Sequence, residues 1–439
     1  MGIRIIKTDK PLADPAVIAV RDRLRAGGLV AAQAAGVDVA AAVREVIADV
    51  RARGDQAVVE WEKKLDAANL SPGTLRVPAE RIAQARASAK RRFLALIRRA
   101  AANIRRYQQR IMVKPPRPLR RGGRELAVRY TPIERVGVYV PGGRAAYPSS
   151  VIMTVVPAQV AGVREIAMAS PPTADGDVNP LVLALAGELG ISEVYRIGGA
   201  VAVAALAYGT GSIRPVSKIV GPGNAFVAEA KRQVLGRVGI DSIAGPSEVL
   251  IIADETANAE WLAADMLAQA EHDPGSAVLV TTSATLAGAV AAGIERQLPQ
   301  LERSEAGRAS IDAYSAIIVV PDIDAACDVA NDFAPEHLQI ITADDDAALA
   351  KIRNAGAIFL GPFTPVPLGD YYAGPSHVLP TDGTAKFSGA LSCNDFLKAS
   401  SVVRYDAESL AKDSPDVISF ASREGLTGHA NAVRIRKGK

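Results

Sequence analysis

The chain has 439 residues, of which 49% are hydrophobic and 22% charged, and its formal net charge at pH 7 is +4. This length exceeds what one hydrophobic core usually supports, so we expect two or more domains in a soluble protein of ordinary globular composition. Two isolated cysteines, Cys327 and Cys393, exclude a disulfide scaffold, and the absence of a signal-peptide core or a membrane-length apolar run predicts a cytoplasmic protein.

The first ~115 residues are predicted to be helical, with long amphipathic stretches at 38–65 and 79–111. Residues 81–125 contain fifteen Lys and Arg residues and one acidic residue, so their net charge is +14 and the remainder carries 4 − 14 = −10. Such a block can bind nucleic acid, but it lacks the interleaved aromatic residues of a single-strand binder. We instead predict a solvated or subunit-facing helix, with attraction of an anionic ligand left open. Its buried stripe comprises Phe93, Ile97, Ala100, Ile104, Tyr107 and Ile111.

After the prolines at 115–118, short β-branched runs alternate with Ala-rich helical segments. Two successive series of this kind predict two doubly wound parallel-sheet α/β domains, which bind ligands at the carboxyl ends of their strands. The segment from about 385 onward breaks the alternation and predicts a small C-terminal tail domain. The predicted strands are 136–140, 165–169, 194–197 and 218–220 in the first series, and 248–252, 277–280, 315–320, 337–341 and 356–360 in the second.

Three glycine turns follow strands of the first series, although the usual Gly-x-Gly-x-x-Gly fingerprint of dinucleotide-binding proteins is absent. Because the amino terminus of a helix can hold a phosphate, three such turns in one α/β unit predict a nucleotide cleft. The turns are Pro-Gly-Gly at 141–143, Gly-Gly-Ala at 198–200 and Gly-Pro-Gly-Asn at 221–224.

The chain has only four histidines, and each lies in a polar context. Imidazole titrates near neutral pH and is the commonest metal ligand, so we treat all four as candidates for one site. Gln269 and His272 lie three positions apart on a predicted helix, which places them one turn apart on one face. Asp370 precedes His377 in a glycine-rich loop, and carboxylate and imidazole donors suit Zn²⁺. A hydrogen-bonded helix end and an Asx turn remain the alternative interpretations of these two motifs.

Glu336 and His337 are adjacent at the start of a predicted strand and form a candidate acid/base pair. Neighbouring residues of a regular strand point to opposite faces, so both can serve one site only if the backbone is irregular there. His337 must be neutral to act as a base, and an unshifted imidazole has a pKa near ~6.5.

Taken together, these motifs resemble the L-histidinol dehydrogenase family in content and in order, over nearly the whole chain. The runs that carry the resemblance are Gly-Val-Tyr-Val-Pro-Gly-Gly at 137–143, Ala-Leu-Ala-Tyr-Gly-Thr at 205–210, Ile-Val-Gly-Pro-Gly-Asn at 219–224, Ala-Gly-Pro-Ser-Glu-Val at 244–249, Ala-Gln-Ala-Glu-His-Asp at 268–273, Ala-Pro-Glu-His-Leu at 334–338, the loop at 369–381 and Glu-Gly-Leu-Thr-Gly-His at 424–429.

The resemblance implies a homodimeric cytoplasmic enzyme with one Zn²⁺ per subunit that uses NAD to oxidise L-histidinol to L-histidine through L-histidinaldehyde. It implies Glu336 and His337 as catalytic residues, and it implies that the ligand near the C-terminus, His429, serves the neighbouring subunit. The implied metal ligands are Gln269, His272, Asp370 and His429. The implied substrate contacts are these four ligands, the catalytic pair, Ser247, His377 and Glu424. The implied NAD contacts are Tyr139, Asn224 and position 201.

The same resemblance implies that the chain is divided into four structural parts. These are an N-terminal segment at 1–26, a discontinuous substrate and metal domain at 27–134 and 238–384, an NAD-binding domain at 135–237, and a tail domain at 385–439 that is exchanged in the dimer. Three residues depart from the family pattern: Val201 stands where the family usually has Gln, Ser376 where it has Asn, and Gln108 where it often has His. A same-fold dehydrogenase of another small polyol, such as a sulfonate, is the alternative, since Arg423 adjoins Glu424.

Overall fold

The computed structural model describes residues 2–34, 37–142, 147–272 and 275–437, so Gly143 and Asp273 of the motifs lie outside the described residues. The strands are β1 Arg4–Lys7, β2 Leu119–Arg121, β3 Arg124–Pro132, β4 Arg135–Tyr139, β5 Glu165–Ser170, β6 Val194–Arg196, β7 Lys218–Val220, β8 Gly239–Ile240, β9 Ser247–Ala253, β10 Gly275–Thr281, β11 Ala316–Val319, β12 His337–Ile341, β13 Ala357–Leu360 and β14 Leu397–Tyr405. The helices are α1 Pro15–Ala34, α2 Val39–Arg53, α3 Asp55–Asp66, α4 Ala79–Ser88, α5 Arg91–Ile111, α6 Pro148–Ala161, α7 Pro180–Glu188, α8 Gly199–Tyr208, α9 Ala225–Val234, α10 Ala259–Ala270, α11 Ala284–Gln297, α12 Ser304–Tyr314, α13 Ile323–Phe333, α14 Asp345–Leu349, α15 Val366–Tyr371, α16 Ala407–Arg423 and α17 Thr427–Arg434.

Six of the described strands form one parallel sheet in the order β1-β11-β10-β9-β12-β13, which we call the large sheet. Its central strands are buried on both faces, which explains their continuous runs of apolar residues. Helices α10, α11 and α12 cover one face, and α1, α13 and α14 cover the other. The sheet is therefore doubly wound, as the alternation of the second series predicts.

Five further strands form a second parallel sheet in the order β6-β5-β4-β7-β8, which we call the small sheet. Helices α4, α5, α6 and α7 pack on one face, and α2, α3, α8 and α9 pack on the other. Helix α8 is almost entirely apolar because α2, α9 and the sheet surround it. The prediction of two doubly wound α/β units is confirmed, and both have helices from the N-terminal region on their faces.

The third sheet is antiparallel, in the order β14-β3-β2, and it joins the region before the small sheet to the C-terminal segment. The predicted strands include neither β3 nor β14. β3 is at most half-buried and β14 is almost entirely exposed, so neither has the continuous apolar run of the parallel strands. Helices α16 and α17 pack on each other beside this sheet, and Arg124 of β3 forms an ion pair with Asp413 of α16. The polar C-terminal segment is thus a folded unit, as predicted for a small tail domain.

Two expectations for the N-terminal region need correction. Residues 4–7 are not helical, because their apolar side chains complete the edge of the large sheet beside β11. In α5, five of the six stripe residues are buried or half-buried, but Tyr107 is 39% exposed. The neighbouring Gln108 is buried instead, because its Oε1 accepts a 2.8 Å hydrogen bond from the backbone N–H of Cys393. No described helix is both long and apolar enough to cross a lipid bilayer.

Candidate active site

The candidate catalytic residues lie at the amino ends of the large-sheet strands, not at the carboxyl ends that the fold class favours. His337 is the first residue of β12, and Ser247 is the first residue of the neighbouring strand β9. The carboxyl end of the small sheet faces this edge, since Ser150 in the first turn of α6 lies 3.4 Å from Nε2 of His377. The site therefore lies where the carboxyl end of one sheet meets the amino end of the other.

Glu336 and His337 point into the same site because the backbone before β12 is irregular. Ala334 has a left-handed φ of 52°, and Pro335 follows it. Glu336 therefore precedes the regular strand, and its Oε2 lies 3.4 Å from Nδ1 of His337. Both side chains are buried, at 5% and 4% exposure. The sequence analysis required an irregular backbone for these two adjacent residues to serve one site, and the backbone is irregular here.

A second carboxylic acid, Glu248 in β9, holds this pair in place. Its backbone N–H donates a 2.9 Å hydrogen bond to Oε2 of Glu336, and its Oε1 accepts a 3.2 Å hydrogen bond from the backbone N–H of Glu336. Its carbonyl oxygen accepts from Nδ1 of His337 at 3.0 Å. Sequence reasoning missed Glu248, although it directly follows Ser247 in the Ala-Gly-Pro-Ser-Glu motif.

All three buried or half-buried histidines have one ring nitrogen fixed by a backbone carbonyl. Nδ1 of His337 meets the carbonyl of Glu248 at 3.0 Å, Nδ1 of His377 meets that of Asp370 at 3.0 Å, and Nδ1 of His272 meets that of Gln269 at 3.2 Å. A carbonyl oxygen can only accept, so Nδ1 carries the proton in each ring. The lone pair of each neutral ring is therefore on Nε2, where it can take a proton or bind a metal.

Three of the four predicted metal ligands belong to this site. Gln269 lies on α10, and His272 lies two residues beyond its last residue, so the predicted helix through 272 is too long. The side-chain amide nitrogen of Gln269 is nevertheless 3.4 Å from Nδ1 of His272. Asp370 lies on α15 rather than in a loop, and its Oδ1 is 3.4 Å from Nε2 of His337.

The C-terminal candidates are placed differently. Glu424 directly follows α16, His429 lies on α17, and both are exposed to solvent in this single copy. The described residues contain no group of three or more His, Cys, Asp or Glu side chains arranged to hold a metal. Within one copy, His272 and Asp370 are therefore the only predicted ligands of these residue types at the site, and no third such side chain completes a metal-binding group among the described residues.

Burial and nearby charge shift the pKa values of the catalytic pair in the same direction. Burial raises the pKa of Glu336 to about 7, against the opposing charge of His337. Burial disfavours protonation of His337, but the carboxylates of Glu336 and Asp370 outweigh it and raise its pKa to about 9. The expectation that the pKa of His337 is unshifted is thus wrong for the chain without a bound ligand, because the carboxylates of Glu336 and Asp370 both face its ring. Nε2 of His337 is buried and has no hydrogen-bond partner among the described residues.

Burial also raises the pKa of Glu248 to about 8, with the charges of Glu336 and Asp382 adding to the effect. A carboxyl group whose pKa rises on folding takes up a proton as the chain folds, so its stability contribution falls as pH increases from ~4.3, the unfolded value, to the folded value. Glu248→Gln carries no charge at any pH. We expect it to raise the melting temperature at pH 9 by about 2 °C or more and to change it little at pH 5.

Thermal unfolding of both proteins at the two pH values measures this difference. Glu60→Gln is the matched control, because Glu60 is an exposed residue of α3. It should shift the melting temperature by less than Glu248→Gln at pH 9. An equal shift at pH 5 and pH 9 for Glu248→Gln would show that Glu248 is ionised in the folded protein at both values.

The predicted cofactor residues lie at the carboxyl end of the small sheet. Tyr139 ends β4, and its hydroxyl accepts a 3.2 Å hydrogen bond from the backbone N–H of Gly199. Asn224 is exposed and caps α9, accepting from the backbone N–H groups of Phe226 and Val227 at 3.1 Å. Val201 is wholly buried in the apolar core around α8, so its side chain presents no surface to a ligand.

Helix α5 of the basic block supports the loop that leads from α15, which carries Asp370, to His377. The side chain of Asn103 donates a 3.1 Å hydrogen bond to the carbonyl of Tyr372. Gly374 has a φ of 135°, and an added Cβ there would lie 2.9 Å from Cβ of Tyr107. The exposed Tyr107 thus packs against the backbone of the loop, which explains why it leaves the buried stripe.

Comparisons with known proteins point to one family. The histidinol dehydrogenase family model matches residues 31–437. Similar proteins include the histidinol dehydrogenases of Rhodopirellula baltica, 51% identical over 90% of this chain and 86% of the relative, and of Geobacillus kaustophilus, 50% identical over 91% and 94%. The crystal structure of histidinol dehydrogenase from Elizabethkingia anophelis is similar over 99% of this chain and 98% of that chain, with a TM-score of 0.89 and 32% identity.

Proposed function

Because this chain belongs to the histidinol dehydrogenase family, we propose that it oxidises L-histidinol to L-histidine through L-histidinaldehyde, with NAD⁺ as oxidant and Zn²⁺ in the site. The observation that carries the proposal is the buried Nε2 of His337. This atom has no hydrogen-bond partner among the described residues, it faces Asp370 at 3.4 Å, and Glu336 approaches the other side of the ring. A substrate hydroxyl would satisfy this nitrogen.

The donors at this site fit Zn²⁺. His272 has its Nδ1 proton fixed by a carbonyl and its Nε2 lone pair free to bind, which is the usual arrangement of a metal-ligating histidine. Asp370 would add a carboxylate oxygen and Gln269 an amide oxygen, so a fourth donor must come from outside this set. A bound Zn²⁺ would fix the imidazole and amine nitrogens of the substrate and polarise its oxygen.

His337 is the proposed base of the first oxidation. Its Nε2 accepts the proton of the substrate hydroxyl while the hydride leaves the same carbon for NAD⁺. The ring can do so only when it is neutral, and the two facing carboxylates oppose this in the chain alone. Engagement of Asp370 by a divalent cation would remove one of them and lower the pKa of His337 toward its ordinary value.

Glu336 is the proposed base of the second oxidation. A carboxylate with a pKa near neutrality can take a proton from water, which then adds to the aldehyde to form the hydrate. His337 accepts a proton again as the hydrate loses its hydride to a second NAD⁺. The two residues therefore act in sequence on one bound substrate.

We further propose that the protein is a homodimer with a shared site. The C-terminal unit leaves several large apolar side chains more than one-third exposed, and an interface with a second copy would remove apolar surface of this kind from water. Such an interface would carry Glu424 and His429 to the neighbouring site, where Glu424 would contact the substrate amine and His429 would be the fourth ligand. The exposed residues are Val402, Val403, Tyr405, Val417, Phe420 and Leu426.

The proposal predicts that the purified protein reduces NAD⁺ when L-histidinol is added and that removal of the metal with a chelator stops this. Added Zn²⁺ should restore the rate. His272→Asn should lower the bound metal and the rate by at least ~10-fold, because loss of a ligand should cost at least as much as loss of a ligand's hydrogen-bond partner. Metal analysis beside the NADH assay measures both quantities.

Two outcomes would contradict this proposal. Full activity in the chelated protein would exclude a required metal, and full metal content with full activity in His272→Asn would exclude this residue as a ligand. Cys327→Ser is a suitable control, because Cys327 lies buried in α13 against the opposite face of the large sheet from α10. If L-histidinol fails and a small sulfonated polyol is oxidised, the alternative substrate is correct.

A further inference from the structure

The turn between β7 and α9 is unusually closely packed at its first residue. Gly221 has a φ of 118°, and an added Cβ would lie 2.1 Å from the carbonyl oxygen of Tyr139. The backbone of this turn therefore lies directly against the peptide of Tyr139, and three residues later it reaches Asn224. Gly221 thus lies between the two residues for which the family resemblance implies NAD contacts.

A buried ion pair holds both polar atoms of Gly221. Nζ of Lys231, on α9, donates a 3.1 Å hydrogen bond to the Gly221 carbonyl, and Oδ2 of Asp241, just after β8, accepts a 2.7 Å hydrogen bond from the Gly221 N–H. Lys231 and Asp241 also pair with each other, and their side chains are only 2% and 3% exposed. Lys231 follows the predicted glycine turn on the same helix, but sequence reasoning gave neither Lys231 nor Asp241 a role.

Burial of an ion pair is a poor route to stability, because loss of hydration offsets the attraction between the charges. The pair does, however, fix geometry. It ties one glycine peptide to a helix and to the end of a strand at the same time. Asp241 also begins the connection that leads from the small sheet to Ser247 on the large sheet.

We propose that Lys231 and Asp241 are positioning residues for the dinucleotide, which they serve by fixing the Gly221 peptide between Tyr139 and Asn224. This inference rests on the proposed use of NAD⁺. Neither side chain touches the cofactor in this arrangement. Their removal should let the turn shift and should weaken NAD⁺ binding, while the histidinol side of the site stays in place.

Steady-state kinetics of Lys231→Met test the proposal. The loss of one charged hydrogen bond to the turn is expected to raise the KM for NAD⁺ by about 10-fold and to change the KM for L-histidinol by less than about 2-fold. Lys231→Arg, which keeps the charge and a donor, should restore most of the affinity for NAD⁺. The double variant Lys231→Met with Asp241→Asn removes both buried charges, so it should be more stable than Lys231→Met and still bind NAD⁺ weakly.

Arg135→Met is the matched control. Arg135 is also a buried residue of the small sheet and pairs with Glu193 and Glu165, but it begins β4 and so lies at the opposite end of the strand from Tyr139. It should lower the melting temperature and leave the KM for NAD⁺ unchanged. The proposal is overturned if the double variant binds NAD⁺ as wild type does, or if Arg135→Met weakens NAD⁺ binding as much as Lys231→Met.

Direct titration of each protein with NAD⁺ separates this inference from the proposed function. If the wild-type protein binds NAD⁺ but does not oxidise L-histidinol, the substrate assignment fails, and the titrations still decide the role of the ion pair. If the wild-type protein does not bind NAD⁺ at all, both are wrong.

Discussion

Glu336→Gln is expected to lower the rate of L-histidinaldehyde oxidation far more than the rate of L-histidinol oxidation. An amide cannot take a proton from water, so hydration of the aldehyde loses its base, and such a loss lowers a rate by roughly 10²–10⁴-fold. The alcohol step uses Nε2 of His337, whose ring remains anchored through Nδ1 to the carbonyl of Glu248. We expect the rate of the alcohol step to fall by less than about 10-fold. The cause of this smaller loss is removal of the Glu336 charge beside the His337 ring, which changes the pKa of the ring.

Separate assays with the alcohol and the aldehyde measure the two steps, and a carbonyl-trapping reagent should capture aldehyde that the variant releases. Asp382→Asn is the control. Asp382 is a half-buried residue, and burial raises the pKa of its carboxyl group to about 7, with the charge of Glu336 adding to the effect. Its removal should affect both steps alike. An equal loss of both steps in Glu336→Gln would contradict the division of labour between Glu336 and His337.

The sequence predicts the two parallel sheets well because their strands are buried on both faces. In β9, the five consecutive residues from Val249 to Ala253 are buried and apolar, and such a run is readable without a structure. β3 and β14 give no such signal, because β3 is at most half-buried, β14 is almost entirely exposed, and their pairing joins residues far apart in sequence. Their pattern fits a surface that a second copy would cover.

The site is predicted only in part, for a related reason. Motifs identify which residues carry chemistry and place His337 at the start of its strand, but they do not show which parts of the chain meet there. The small sheet approaches the large sheet at this edge, and no local pattern encodes this approach. Glu248 contacts the backbone of Glu336, 88 residues away, and such a contact leaves no spacing in the sequence.

The shared site of the proposed dimer makes a quantitative prediction for mixed dimers. His337→Asn and His429→Asn should each be nearly inactive, because one lacks the base and the other lacks a ligand. In a dimer of one chain of each kind, exchange of the C-terminal units places both changes in one site and leaves the other intact. Purified mixed dimers should therefore have about half of the wild-type activity, as the two-fold symmetry of the pair requires.

Co-expression of the two variants with different affinity tags isolates the mixed dimer for this measurement. A dimer of His429→Asn with Glu424→Gln is the control, because both changes lie on the C-terminal unit and each site then receives one of them. This control should stay nearly inactive. If the first mixed dimer is also inactive, His429 completes the site of its own chain. Helix α17, which is exposed in the single copy, would then have to move when the dimer forms.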